Sequence, residues 1–160
     1  MELVRPDPEV LIPVEQSRHR TAGKAALLLV ERKGGFHIPT AKEKRNLLVA
    51  FAERNLVVYG KAFDVVRLSR PVDLSRIEQI RTYLDAITVY EIKSTNRKLP
   101  PDFKGYFFAL TGAEMLVAQS LKKRFRFAFV NTVTGTVLDL SLNELLKRTR
   151  GIYPTWSICF

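Results

Sequence analysis

Apolar positions follow two spacings along the chain, three to four residues apart in some stretches and every second residue in others. The wider spacing, with end signals, predicts helices over residues 22–33, 41–54, 73–84, 111–122 and 141–150. The alternating spacing predicts strands over residues 56–59, 62–68, 86–93, 105–110 and 124–131, with a hairpin turn at 133–137. This order of elements predicts an α/β fold, a mixed central sheet flanked by helices.

Three of these helices begin with a capping box, in which Ser or Thr is followed three residues later by Glu. The pairs are Thr40 with Glu43, Thr111 with Glu114, and Ser141 with Glu144. The helix over 73–84 has either Asp73 or Ser75 as its N-cap.

The predicted sheet cannot be entirely parallel, because the connection over residues 94–104 is short and lacks a helical pattern. Residues 1–20 carry three prolines and show no sustained period, so they predict an arm with one short strand around residues 10–14. Residues 21–160 are then expected to form one domain. Their aromatic tail, 151–160, either covers a sheet edge as a strand or forms a homodimer contact.

Charge and composition narrow the classes of function. The chain has 160 residues and a formal net charge of +10, which favours an acidic partner such as nucleic acid; a basic protein without such a partner is the alternative. One cysteine and two histidines argue against Cys/His catalysis and against a zinc site of the usual type. The chain lacks an apolar run of membrane-spanning length and a signal-peptide core, which predicts a cytoplasmic protein without a membrane partner.

The strand over 86–93 carries the residues with the clearest candidate roles in catalysis. Because side chains alternate between the faces of a strand, Glu91 and Lys93 share one face with Ile87 and Val89. The Glu91 carboxylate can hold a hard divalent cation through oxygen. The Lys93 ammonium can orient water or stabilise charge that builds on a phosphate. A surface charge pair without function is the alternative interpretation.

Such a metal site normally needs a second carboxylate, and two aspartates precede the strand. Asp85 lies six residues before Glu91, or roughly 20 Å along a straight strand, which is too far for a shared ion. Asp64 lies in the preceding predicted strand, and neighbouring strands are only about 4.8 Å apart. This distance favours Asp64 over Asp85.

Asp64 followed by Glu91-x-Lys93 resembles the PD-(D/E)XK nuclease superfamily. The wider pattern resembles its Mrr-like and NO VEIN C-terminal branch: Tyr-Glu-Ile-Lys-Ser-Thr over 90–95, Phe-Ala-Leu-Thr-Gly-Ala-Glu over 108–114, and an aromatic strand over 126–131. The resemblance covers about residues 41–131. In this chain the usual Gly-Tyr-Asp appears only loosely, as Gly-Lys-Ala-Phe-Asp over 60–64, and the stretch from Asp64 to Glu91 is long.

The resemblance implies a restriction-endonuclease-like fold and Mg²⁺- or Mn²⁺-dependent hydrolysis of phosphodiester bonds in DNA. Asp64, Glu91 and the Ile92 carbonyl are the expected metal ligands, and Lys93 is expected to position the attacking water and the phosphate. Relatives often add a helix carboxylate, for which Glu43 is the candidate and Glu53 the fallback. Gln119 resembles a polar helix residue that some relatives point at the site.

Basic residues after position 93 are expected to contact the phosphates of double-stranded DNA. They are Arg97, Lys98, Lys104, Lys122, Lys123 and Arg124. The rings of Phe125, Phe127 and Phe129 are expected to pack in the core rather than to stack on bases. Two other functions fit the sequence: a nucleic-acid-binding module that does not cut, and a protein-interaction domain in which Glu-x-Lys occurs by chance.

Overall fold

A five-stranded mixed sheet lies at the centre of the protein, in a computed structural model that describes residues 21–153. The strands are β1 (Phe36–His37), β2 (Val65–Leu68), β3 (Ile87–Thr95), β4 (Phe125–Asn131) and β5 (Val137–Leu140). They lie side by side in chain order. Only β3 and β4 pair in parallel, whereas the other three pairs are antiparallel. The predicted α/β class and mixed sheet are confirmed.

Within the described part of the chain, five α-helices surround the sheet. They are α1 (residues 21–32), α2 (Ala41–Ala52), α3 (Ile77–Thr82), α4 (Gly112–Leu121) and α5 (Leu142–Arg148). The three predicted capping boxes all form, at the starts of α2, α4 and α5. None of the helices within residues 21–153 combines the length and apolarity that a membrane span requires.

The helices divide between the two faces of the sheet. Helix α1 packs with Ala25 and Leu29 on the face that carries Tyr90 and Ile92. The other four helices cover the opposite face, where they bury the rings of Phe125, Phe127 and Phe129 as expected. Strand β3 is therefore covered on both faces. Glu91 and Lys93 share the side of β3 that bears Ile87 and Val89, so they lie at the margin of the larger core.

Two predicted strands, over 56–59 and 105–110, are wrong: both segments are irregular. In the first, the Val57 N–H donates to Ser120 Oγ at 2.7 Å instead of joining a strand. In the second, Tyr106 and Phe108 pack their rings on Phe129, so the alternation there reflects ring packing rather than a ladder.

Other bounds also differ from the predictions. The predicted strand over 62–68 is shortened to β2, and α3 begins only at Ile77, after Arg76, without a side-chain cap. Asp73 instead accepts hydrogen bonds from Ser75, which forms a turn before the helix. The two-residue strand β1 was not predicted. Residues 151–153 are not in a strand; the predicted strand over 10–14 and the rest of the tail lie outside the described residues.

Helix α2 depends on its buried face, and this dependence can be measured. Phe51→Ala should lower the free energy of unfolding by about 3–5 kcal/mol, because the fully buried ring leaves a cavity against the sheet. Val49→Ala, in the same helix but 45% exposed, is the matched control and should change stability by less than about 0.5 kcal/mol. Urea unfolding of both variants measures the difference, and equal losses would contradict the assigned packing of α2.

Candidate active site

The β2–β3 pairing brings Asp64 beside Glu91. The paired register ends at Val65 with Tyr90, so the next residues outward are Asp64 and Glu91. The Asp64 N–H donates to the Tyr90 carbonyl oxygen at 2.8 Å, and Asp64 Oδ2 accepts from the Ile92 N–H at 2.8 Å. The Asp64 side chain thus takes the place that a backbone carbonyl of β2 would fill if the ladder continued.

This arrangement also sets the direction of the Ile92 carbonyl. In a β-strand the N–H and C=O of one residue point to the same side, and the Ile92 N–H points toward Asp64. Its carbonyl is directed to that side too, beyond the last backbone pairing with β2. Asp64, Glu91 and the Ile92 carbonyl therefore converge at the point where β2 leaves β3.

Lys93 lies between two carboxylates. Its Nζ is 3.0 Å from Glu91 Oε1 and 2.8 Å from Glu114 Oε2. The exposed fractions of the three side chains are 11%, 11% and 7% for Lys93, Glu91 and Glu114, so water screens these contacts little. The ammonium is held in one place before any ligand arrives.

Glu114 was predicted only as a capping residue, and its second role was missed. Its Oε2 accepts from the Thr111 N–H at 3.0 Å, as the capping box requires, and from Lys93. The start of α4 therefore fixes Lys93 as well as itself. The signal available in the sequence was the Phe-x-Leu-Thr-x-x-Glu pattern over 108–114, which ends on this residue.

Lys44 is a second basic residue that the sequence did not point to. From α2 its Nζ donates to the carbonyl oxygens of Gly60, at 3.0 Å, and Phe63, at 2.7 Å. Burial lowers the pKa of Lys44, while the charges of Asp64 and Glu91 act in the opposite direction. The side chain thus fastens the segment before β2 and adds positive charge near the acids.

The acids outnumber the basic groups at this site. Burial raises the pKa of Glu91 from its usual 4.5 to about 8; the charges of Asp64 and Glu114 act in the same direction, and Lys93 opposes them. Ionised Glu91 therefore lacks full compensation within the protein, and a bound cation would supply it.

The donor atoms suit a hard divalent cation. Asp64, Glu91 and the Ile92 carbonyl offer only oxygen, the element that Mg²⁺ prefers, and Mg²⁺ usually takes one or two protein carboxylates and completes its shell with water and phosphate. Among residues 21–153, no three His, Cys, Asp or Glu side chains are placed to hold a metal ion by themselves. The protein alone would therefore supply an incomplete coordination shell.

The other candidate residues have different surroundings. Glu43 accepts from Thr40 N–H at 2.7 Å and contacts His37 Nε2 at 3.0 Å, and Glu53 pairs with Arg81. Asp85 pairs with Arg124 and its side chain is 88% exposed. Gln119 is exposed on α4. Neither Glu43 nor Gln119 has a hydrogen bond to Asp64, Glu91 or Lys93, and their accessory role stays a prediction. Asp64 lies beside Glu91, as the spacing of neighbouring strands predicts.

The candidate DNA-contacting residues fall into two groups. Arg97, Lys98 and Lys104 are exposed in the segment that follows β3, next to the site. The second group, residues 122–124, precedes β4. Because β3 and β4 are parallel and their pairing covers seven residues, the two groups lie at opposite ends of the pair, roughly 20 Å apart. Because Glu91 pairs with Phe127, three residues after Arg124, the register does not place either group closer to the carboxylates.

The raised pKa of Glu91 predicts how stability changes with pH in the metal-free protein. Unfolded Glu91 ionises near its usual 4.5, whereas the folded state keeps the proton up to about 8. The unfolded state therefore binds fewer protons in this window, and stability should fall as pH rises from 4.5 to 8. The side chain of residue 91 cannot ionise in Glu91→Gln, so the stability of this variant should not show this fall with pH. Urea unfolding in EDTA at several pH values measures it, and a pH-independent difference between the two proteins would mean that Glu91 is ionised throughout.

Comparisons with protein-family models, with curated proteins and with solved structures find no match for this chain. Asp64, Glu91, Lys93 and Glu114 form the cluster from which a function can be inferred.

Proposed function

We propose that this protein is a metal-dependent nuclease that hydrolyses phosphodiester bonds in DNA. One observation carries the proposal: the end of the β2–β3 ladder puts Asp64 beside Glu91-Ile92-Lys93, with Asp64 Oδ2 bonded to the Ile92 N–H. Two acids, a carbonyl and an ammonium at one strand end are the groups that metal-assisted phosphoryl chemistry uses. The succession of α2, antiparallel β2 and β3, α4 and parallel β4 supports a restriction-endonuclease-like arrangement.

Asp64, Glu91 and the Ile92 carbonyl would hold Mg²⁺ or Mn²⁺. When bound, such an ion supplies Lewis-acid stabilisation of the phosphate charge and lowers the pKa of water. The chain's own contribution is to fix these donors: the hydrogen bond from the Ile92 N–H orients Asp64, and Lys93 orients Glu91.

Lys93 is the residue that faces the reacting phosphate in this proposal. Its ammonium orients the attacking water and stabilises the negative charge that develops on the phosphate oxygens. Glu114 acts as a positioning residue, because its bond to Lys93 Nζ at 2.8 Å keeps the ammonium from turning toward solvent. The exposed cations after β3 hold neighbouring phosphates at the site.

A DNA-binding module that does not cut is the second candidate, and one observation favours it. Lys93 is already bonded to two carboxylates, and a protonated Glu91 would leave the cluster of Glu91, Lys93 and Glu114 close to neutral without any metal. Such a cluster can serve stability alone. Cleavage assays with Mg²⁺ and Mn²⁺ distinguish the two candidates directly.

The sharpest test is Lys93→Ala. Loss of the ammonium should lower the cleavage rate by about 10²–10³-fold, because stabilisation of developing charge is lost. DNA affinity should fall only by the contribution of about one phosphate contact. Lys24→Ala, an exposed lysine on α1 at the opposite face of the sheet, is the matched control and should cleave normally. Removal of Lys93 leaves two buried acids without the cation between them, which can destabilise the fold. Circular dichroism at the assay temperature therefore checks that the variant is folded.

Glu91→Ala should also abolish cleavage, and the double variant should be no worse than either single one, because both residues serve one step. If Lys93→Ala cuts as fast as the unchanged protein, or if that protein cuts nothing with either metal, the nuclease proposal fails. In the second case the non-cutting module becomes the better assignment.

Asp64 and Asp85 provide a second, independent comparison. Asp64→Asn keeps the size of the side chain and an acceptor for the Ile92 N–H, but it removes the charge beside Glu91, so cleavage should be lost. Asp85→Asn changes an exposed pair with Arg124 at the other end of β3 and should leave the rate nearly unchanged. Loss of activity in Asp85→Asn alone would overturn the assignment of Asp64.

A further inference from the structure

The linker between β3 and α4, residues 96–111, is anchored by aromatic rings. The rings of Phe103, Tyr106 and Phe108 lie 5.9, 6.2 and 5.0 Å from the ring of Phe129, measured between centroids. Phe129 pairs with Lys93 in the β3–β4 register. The linker is therefore held against the strand residues that form the candidate site.

Two backbone features reinforce this anchoring. The hydroxyl of Tyr106 donates to the Ser94 carbonyl oxygen at 2.6 Å, next to Lys93. Phe103 adopts the left-handed conformation, with φ of 57°, although its ring is buried. A bulky residue keeps this conformation only where the surrounding contacts enforce it. These contacts hold the linker backbone in one path beside the site.

Phe107 is the exception among these rings, since it is 77% exposed. Its neighbours Tyr106 and Phe108 both turn inward onto Phe129, and Phe107 is consequently turned toward solvent. A single exposed apolar residue is ordinary by itself. This one is carried by a linker that Tyr106 anchors at Ser94, the residue after Lys93.

The linker that contains Phe107 also contains basic side chains. Arg97, Lys98 and Lys104 are all exposed, and Arg97 lies close enough to the Tyr106 hydroxyl to lower the pKa of that group, against the larger effect of its burial. The Arg97 carbonyl is also fixed, because Asn131 Nδ2 donates to it at 2.9 Å. Exposed aromatic rings together with basic side chains are the groups by which proteins bind single-stranded nucleic acid.

We infer that Phe107 stacks on an unpaired base next to the bond that is cut, while the linker cations contact the adjacent phosphates. The inference rests on the proposed function and specifies its substrate class: single-stranded DNA, or duplex DNA with unpaired nucleotides at the cleavage point. In an intact duplex each base already stacks on its neighbours, so the ring would find no free face there.

Phe107→Ala provides the test, with Tyr153→Ala as the matched control, since Tyr153 is 73% exposed and lies outside the linker. Binding of the 160-residue chain to fluorescein-labelled oligothymidine and to a duplex of equal length is measured in EDTA and again in Ca²⁺. Loss of one stacked base should weaken oligothymidine binding about 5- to 100-fold. Duplex binding should change by less than about 2-fold, and Tyr153→Ala should alter neither.

A spectroscopic measurement separates stacking from other effects. Phe107→Trp, made in a Trp156→Phe background so that residue 107 is the only tryptophan, should keep affinity for oligothymidine. Its fluorescence should be quenched when the single strand is added and should stay unchanged with the duplex. Equal weakening of both ligands by Phe107→Ala, no weakening of either, or an unquenched tryptophan would overturn the inference.

The outcomes distinguish this inference from the nuclease proposal. If Lys93→Ala abolishes cleavage but Phe107→Ala leaves single-strand binding intact, the nuclease proposal stands and the stacking role fails. If Phe107→Ala selectively weakens single-strand binding but no substrate is cut, stacking stands in a module that binds without cutting. Absence of nucleic-acid binding even at low salt would overturn the stacking role, and the ring would then be better explained as a protein contact.

Discussion

Strand β3 lies between helices on both faces of the sheet, so a charged side chain on it is largely withdrawn from water. A carboxylate in such a place needs compensating charge close by, or it takes up a proton. This compensating charge comes from Lys93, which lies between Glu91 and Glu114, and from Lys44, which lies near Asp64. The rest of the site depends on this compensation, because Lys93 opposes the rise in the Glu91 pKa that burial, Asp64 and Glu114 produce.

The early end of the β2–β3 ladder is the second constraint. Had β2 continued outward, its backbone would face the Ile92 N–H and carbonyl, and both groups would be used within the sheet. The Asp64 side chain instead satisfies the N–H, so the strand end keeps its hydrogen bond while its carbonyl stays directed toward the acids. A local break in regular structure thus creates the concentration of oxygen atoms.

Much of this organisation could be read from local sequence. The capping boxes gave the starts of α2, α4 and α5, and the alternation around Glu91 gave its side of β3. The proximity of Asp64 followed from the spacing of neighbouring strands. These predictions succeeded because each depends on a few adjacent residues or on one fixed sheet dimension.

Features set by distant contacts could not be predicted in this way. Residues 105–110 alternate like a strand, but their alternation serves ring packing on Phe129. In the sequence, the capping role alone accounts for Glu114. Only the packing of α4 beside β3 brings its side chain to Lys93. The separation of residues 122–124 from Arg97 and Lys98 follows from the parallel direction of β4, which no local pattern reveals.

The parallel pairing of β3 and β4 also affects the order of folding. Val89 pairs with Phe125, 36 positions further along, so the pair forms only after a long connection has closed. Closing such a connection costs entropy before the strand contacts form, so pairing of this kind is slow. Glu114 reaches Lys93 only when that crossover is in place. We therefore expect the acids to lose their water late in folding and to regain it early when the crossover opens.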